Sequence, residues 1–462
     1  MKKLLSMALC MLLLLCAAGC QSEQDKVYDA LMASSSEGPR ELSSQEAAAT
    51  SGGAEPEEKP QPDTKLEADL VLCTYTSDAT VEIWQDYIRE FNETYPNIHI
   101  EVKDSEAVSD VPGYITRTTV ELMSGEAGDI LDMEWLPAQR YSVSGVLAEL
   151  DSLMETDPDF AGDKYYTNVL DGMRCGGKLY AMPYEFAPVG IRLDKKAADA
   201  LEAEYRTGKP IKVSEVLALA AQANELPEYA ELPVLGYCLW DGFNFAELSS
   251  RINENEKTAD LDSDSFIQYL TALKALRYSE NAQIGAALMP DDGNLSGGFC
   301  SIVNLWTANQ MFAGNYLDML DSPSVTPMMA LETDEGGRLY TAKSLAVVSS
   351  CKNKEAAFAF LKFVLDSERK LDPENYLRTA FAPVNRDVNK RAMEVYYGKD
   401  QGEEIQAIDK WCGEVDTVVF YDRSRELLEK LNEICSQYMR DLLTAEECAR
   451  QMQDMAFIYL RE

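Results

Sequence analysis

The stretch ADLVLCTYTSDATVEIWQDYIREFNETYPNIHIEV, residues 68–102, narrows the fold more than any other part of the chain. Residues 70–75 are a short apolar run fit for a buried strand. Thr76, Ser77 and Asp78 follow as turn and helix-capping types, with Asp78 placed either to cap the helix or to face a ligand. Val81, Trp84, Ile88 and Phe91 then recur at three- and four-residue spacing, which puts them on one apolar helix face and makes Trp84 a core residue. Pro96 and Asn97 stop the helix, and residues 98–102 alternate as a second strand. Strand, helix and strand in so short a span form a βαβ unit, and two strands joined in this way run parallel. A third unit follows, with a helix over 114–124, a turn at 125–128 and a strand from 129. Further along, KLYAMPYEF and VGIRLD read as strands and PIKVSEVLALAAQA as a helix. VLGYCLW reads as a strand ending near Trp240, and the chain finishes in helices. The fold class is α/β.

The body that carries this pattern begins near residue 66. Before it, residues 21–65 are rich in Ser, Glu, Ala, Gly and Pro with almost no aromatic or β-branched side chains. Such a segment buries too little apolar surface to offset its chain entropy and is expected to be a tether. Ahead of the tether, Lys2 and Lys3 precede an apolar run over 4–15, the length of a signal-peptide core and short of a membrane span. Ala17, Ala18, Gly19 and Cys20 resemble the lipobox of bacterial lipoproteins, although the first position is more often Leu in that motif. The resemblance implies a signal peptide over 1–19, cleavage before Cys20, a lipid on its sulfur (a diacylglyceryl group, with palmitate as the usual acyl chain) and an extracytoplasmic protein anchored to the cell membrane. The remaining chain is longer than one hydrophobic core usually grows, so two lobes are expected.

Composition removes several functions. The formal charge of −37 argues against nucleic acid and against adhesion to anionic head groups. His99 is the single histidine and alternates within a strand, so HExxH, a facial triad and a Ser-His-Asp arrangement are all absent. No GxxxxGK[ST] loop exists, hence no ATP hydrolysis by this chain. Asp260, Asp262 and Asp264 have the spacing that opens a calcium loop, but Ser265 and Thr271 stand where glycine and glutamate are needed, so a helix N-terminus is the better reading. The cysteines of the body are scattered without a CxxC pair, which excludes a zinc or thioredoxin motif and leaves disulfides open. No cofactor and no metal are expected.

FNETYPNIHIEV, ELMSGEAGDILDM, SGVLAELDSL and YYTNVLDGMRCGGKLYAMPYE, in that order, resemble the successive motifs of type 1 extracellular solute-binding proteins of ABC importers. CKNKEAAFAFLKFVLDSE and LLTAEECARQMQDMAFIYLRE resemble that family's later helices. The likeness covers the chain from about residue 68 to its end, and its strength lies in the ordered set. It implies a two-lobe periplasmic-binding-protein-like fold with a mainly parallel sheet in each lobe and a hinge with several crossovers. Lobe one is placed at 66–184 and 306–363, lobe two at 185–305 and 364–462.

Such a protein closes around ligand between its lobes. Carbohydrates, the commonest ligands of the family, call for carboxylates and amides on their hydroxyls and for aromatic rings on their C–H faces. Asp132, Glu134 and Trp135 follow the strand where family members often place ligand contacts. Tyr184 and Glu185 follow the Ala-Met-Pro crossover near the hinge. Trp240, Asp241 and Phe243 combine rings and a carboxylate at the end of a lobe-two strand. Trp306 stands near a tryptophan position of the family, and Arg378 precedes a proline-containing stretch that often returns to the cleft; Trp411 is not assignable. The function expected is capture of a sugar or oligosaccharide by a lipid-anchored binding protein and delivery to an ABC permease driven by its ATPase. The alternatives are an exported carbohydrate-active enzyme and a ligand sensor feeding a membrane receptor.

Overall fold

Strand β1 (Ala68–Cys73) forms where the opening apolar run predicts it, with Leu70 and Leu72 buried on one face. The helix Asp78–Thr94 buries Trp84, Tyr87 and Phe91 from its apolar stripe. Strand β2 (Ile98–Lys103) then pairs with β1 in parallel, from Ala68 opposite Ile98 to Cys73 opposite Lys103. After the helix Val111–Ser124, β3 (Ile130–Asp132) pairs with the other edge of β1, again in parallel. The computed structural model describes residues 65–75, 78–103, 111–223, 225–227, 240–276, 300–304, 326–372, 381–397 and 402–461.

The strands expected at KLYAMPYEF and VGIRLD are one continuous strand, β4 (Ala181–Leu193), all thirteen residues of which are buried. Ala187-Pro188 breaks the strand character of the sequence, but Pro188 is accommodated where the pairing of β4 passes from the strand Leu339–Val347 to the strand Cys300–Asn304. In chain order there follow β5 (Pro210–Lys212), the hairpin strands β6 (Ile252–Asn253) and β7 (Thr258–Ala259), and β8 (Cys300–Asn304). Then come β9 (Met329–Glu332), β10 (Leu339–Val347), β11 (Ala382–Pro383) and β12 (Thr417–Val418). The main path of the large sheet is β2-β1-β3-β10-β4-β9-β5. The first half of β4 pairs antiparallel with β10, while its second half pairs antiparallel with β8 and β9. Strands β5 and β9 are parallel. The run 240–243, expected to end a strand, instead opens the helix Trp240–Arg251. Its inward positions include the buried polar residues Asn244, Glu247 and Ser249, which blur the apolar period from which a helix would be read.

Alternation along the strands separates two layers of one core. Leu70, Leu72, Ile130, Leu345 and Val347 belong to one buried cluster, and Cys73, Leu131, Ala346 and Val348 to the layer on the opposite face. A second core holds Val189, Ile191 and Leu193 of β4 together with Leu217, Leu270, Leu427 and Met452. The chain passes between the two cores within β4 (Phe186 to Val189), through β9 and the start of β10 (Leu339 to Tyr340) and at Val418 to Val419. This is a two-lobe fold with several crossovers. Met393, Ile405, Ile408, Trp411 and Cys412 are buried with the first core, although the sequence reading placed 364–462 with the second. An amphipathic helix shows that it has a buried face and not which lobe that face meets.

Gly190, one residue past the β4 crossing, permits a close approach. A Cβ there would come within 2.5 Å of Met328 Cγ and 2.7 Å of both the Met329 carbonyl oxygen and Trp411 Cη2. Trp411 is therefore a ring packed where the two cores meet.

Candidate functional site

The carboxyl end of β3 builds one wall of the site. Asp132 is buried, and its Oδ2 accepts hydrogen bonds from Thr74 Oγ1 at 2.9 Å and Trp84 Nε1 at 3.3 Å. Its Oδ1 accepts from the Glu134 N–H at 3.2 Å. Burial, with a smaller contribution from the Glu134 charge, pushes its pKa up to about 6. A carboxylate engaged in this way braces the turn that carries Glu134 and Trp135. Glu134 lies 3.7 Å from Lys343 Nζ, and Lys343 faces Glu185 in the β10–β4 register. Burial opposes the Lys343 charge, but Glu134, Glu185 and Asp132 more than offset it and raise its pKa. Lys343 also lies 5.3 Å above the Phe381 ring. Tyr184 is buried edge-on to Trp84, and burial, then the Asp132 charge, holds its hydroxyl well above the ordinary value.

Trp135 is half-buried at the lip of this wall, with Tyr75 edge-on to it at 6.1 Å and Tyr114 beyond at 5.3 Å from Tyr75. The opposite side comes from the helix Phe420–Met439 of the second core. The Arg425 guanidinium lies 4.8 Å above the Trp135 ring, within cation–π range. Arg140 reaches Glu426 at 3.5 Å and lies 5.5 Å above the Tyr459 ring.

The short helix Ala138–Val143 stands between two interlobe cavities. One, of about 340 Å³, lies between Val111, Ile115 and Pro137 on one side and Arg425, Glu426 and Glu429 on the other. The other, of about 210 Å³, is polar, with Gln139, Ser142 and Arg174 facing Asn253, Glu254 and Asn255. Hydroxyls, amides, carboxylates and accessible ring faces are groups that hold a neutral, hydroxyl-rich solute.

Of the residues singled out from sequence, Asp132, Glu134 and Glu185 come together around Lys343, Tyr184 packs behind them against Trp84, and Trp135 stands beside them. Asp78 opens the helix Asp78–Thr94, and Trp240, Asp241 and Phe243 open the helix Trp240–Arg251, but their side chains lie outside the described residues. Trp306, Arg378 and Cys20 lie outside them altogether. Sequence reading missed Tyr75, Lys343, Phe381 and Arg425. The mix of rings and guanidinium groups in FYDRSR, at 420–425, was the available signal for the last. Among the described residues no group of three His, Cys, Asp or Glu is placed to hold a metal ion. Asp264 opens the helix Asp264–Ala275, and Asp260 accepts from Arg251 and Ser263, as a helix N-terminus rather than a calcium loop would have it.

The family profile described as bacterial extracellular solute-binding protein matches residues 77–370, more than half of the chain. The protein belongs to this family. An ABC substrate-binding protein from Listeria monocytogenes in complex with cycloalternan aligns at 17% identity and a TM-score of 0.57, over 86% of this chain and 99% of that one. The sugar-binding protein MalE from Xanthomonas citri aligns at 11% identity and 0.59, over 85% and 98%. A periplasmic oligogalacturonide-binding protein from Yersinia enterocolitica gives 16% and 0.56, over 85% and 99%. At these identities the likeness speaks for the fold. The family's members are extracellular binding proteins rather than enzymes. Among the described residues no helix is long and apolar enough to cross a membrane.

Proposed function

We propose that this solute-binding protein captures a sugar or oligosaccharide in the interlobe cleft, with Trp135 stacking on it, and delivers it to an ABC permease from a lipid anchor at Cys20. The observation that carries this reading is the placement of a half-buried tryptophan and the Glu134–Lys343–Glu185 charges near the end of β3, with the second lobe's Arg425 facing Trp135 across the cleft. Of the structural neighbours, one was solved with cycloalternan and another is named for oligogalacturonide, which supports a carbohydrate solute here. Membership of the family and the Listeria neighbour's name as an ABC substrate-binding protein support delivery to a permease.

Titration calorimetry against a panel of mono- and oligosaccharides tests the reading. At least one sugar should bind without being consumed, and product release would overturn it. Truncating a buried aromatic anchor typically costs at least ~2 kcal/mol, close to 30-fold in affinity. Trp135→Ala should therefore weaken the sugar identified by ten-fold or more while leaving the melting curve unchanged. Unchanged affinity would place the site elsewhere in the cleft.

A further inference from the structure

Among the described residues, contacts join the lobes around the helix Ala138–Val143 at Asn255, at the Trp135 ring and at Arg140, which meets both Glu426 and the Tyr459 ring. Gln139, buried in the first lobe, donates from Nε2 to Asn255 Oδ1 at 2.8 Å, and Cys175 Sγ donates to the same oxygen at 2.9 Å. Asn255 lies in the turn between β6 and β7, whose Ile252 is buried in the second core. Arg425 covers the Trp135 ring and is steadied by Glu429, which accepts from Arg425 Nε at 2.9 Å. Arg140 and Glu426 form the third contact, but both are about two-fifths exposed, and an exposed pair of this kind contributes little. The first two therefore dominate. On the second-lobe side the surface is fixed from behind. Ser424 breaks the helical conformation (φ −149°, ψ 63°) and donates to Glu254 Oε1 at 2.9 Å, tying the start of the helix to the β6–β7 turn.

We propose that these contacts are a latch by which the protein closes on itself without solute, Gln139 and Cys175 gripping Asn255 and Arg425 occupying the ring face of Trp135. A solute that stacks on Trp135 takes the place of the guanidinium; that consequence rests on the solute-cleft reading, whereas the closure does not. Each contact removed should lower the closed-to-open ratio of the solute-free protein by roughly 3- to 10-fold.

The test uses the solute-free protein and leaves the native thiols alone. Ketone-bearing amino acids replace the exposed Met123 of the first lobe and Leu442 of the second, and carry a dye pair for single-molecule distance measurement. The unsubstituted protein should show a dominant short distance, and Gln139→Ala combined with Arg425→Ala should shift the population to a longer one, while the protein still melts in a cooperative transition. Should the double variant fail to fold, Asn255→Ala alone, at an exposed position, gives the same reading. A solute-free protein found only at the long distance, or variants with unaltered distances, would overturn the latch. Neither outcome bears on whether the sugar panel yields a ligand.

Discussion

Asp132 shows how one side chain beside the candidate site is engaged in bracing it. Its two oxygens take three donors, and two of those, from Thr74 and Trp84, come from positions 58 and 48 residues earlier in the chain. The motif GDILD, residues 128–132, is what singles out Asp132 as a candidate, but nothing local reveals the donors that enclose it. The enclosure has a pH signature. Burial raises its pKa from 3.8 to about 6, so between those values the folded chain holds a proton that the unfolded chain has released. Stability from this group is therefore fully present below about pH 4 and is lost as pH rises through about 6, a loss of roughly 3 kcal/mol. Asp86, Glu121 and Asp159 have the opposite sign, since partner cations lower their pKa values and their stabilisation fades as pH falls. Comparing slopes isolates Asp132. Asp132→Asn should lose stability at pH 5 relative to the unsubstituted protein by more than it does at pH 7.5, as read from urea midpoints at each pH. Parallel midpoint curves would show that Asp132 is not buried as a titrating group.

At the scale of elements, β4 decides how the lobes are joined. A strand that serves two cores has no exposed face, and its sequence, AMPYEFAPVGIRL, lacks the polar alternation from which a register is usually read. The parallel units before it were legible because a helix with a clean apolar stripe lies between short strands. The interruption of strand character at Ala187-Pro188 suggested two strands, yet Pro188 is accommodated where the pairing passes from β10 to β8. The same local economy hid the assignment of 384–418, since those helices display a face but no address. Gly190 is where packing is least forgiving. A methyl group there would press on a backbone carbonyl and on the Trp411 ring as well as on a flexible methionine. Gly190→Ala should destabilise the protein by about 1–3 kcal/mol, the usual cost of overpacking. Thermal unfolding should show a lower midpoint, and the lobe separation should change because the strand shared by both cores has shifted. A midpoint equal to that of the unsubstituted protein would mean that Met328 and Trp411 move aside freely.

Across the whole molecule, folding and the proposed anchoring are expected to separate. Among the described residues, the buried cores begin at Ala68, with Leu66 packed against the first, and the largely polar composition of 21–65 leads us to expect that both cores form without it. In the proposed anchoring, the lipid on Cys20 and the tether expected from the sequence would act as a leash: about 45 residues behaving as a flexible chain would span about 35–40 Å on average, enough to hold a binding protein near a permease without fixing its orientation. Two variants test this division of labour. A chain beginning at Lys65 should fold with an unaltered melting curve and bind the sugar identified by the panel as the full chain does, because ligand stabilises only the folded lobes. At a solute concentration of 100 times the dissociation constant both forms should gain the same ~2.7 kcal/mol of stability. Cys20→Ser, in the full chain expressed in a bacterial host, should leave the membrane fraction and appear in the soluble one, since the sulfur that would carry the lipid is gone. Retention of the Ser variant in the membrane with unchanged gel mobility would rule out the lipid anchor. A large loss of affinity in the shortened chain would instead show that the tether takes part in closing the cleft.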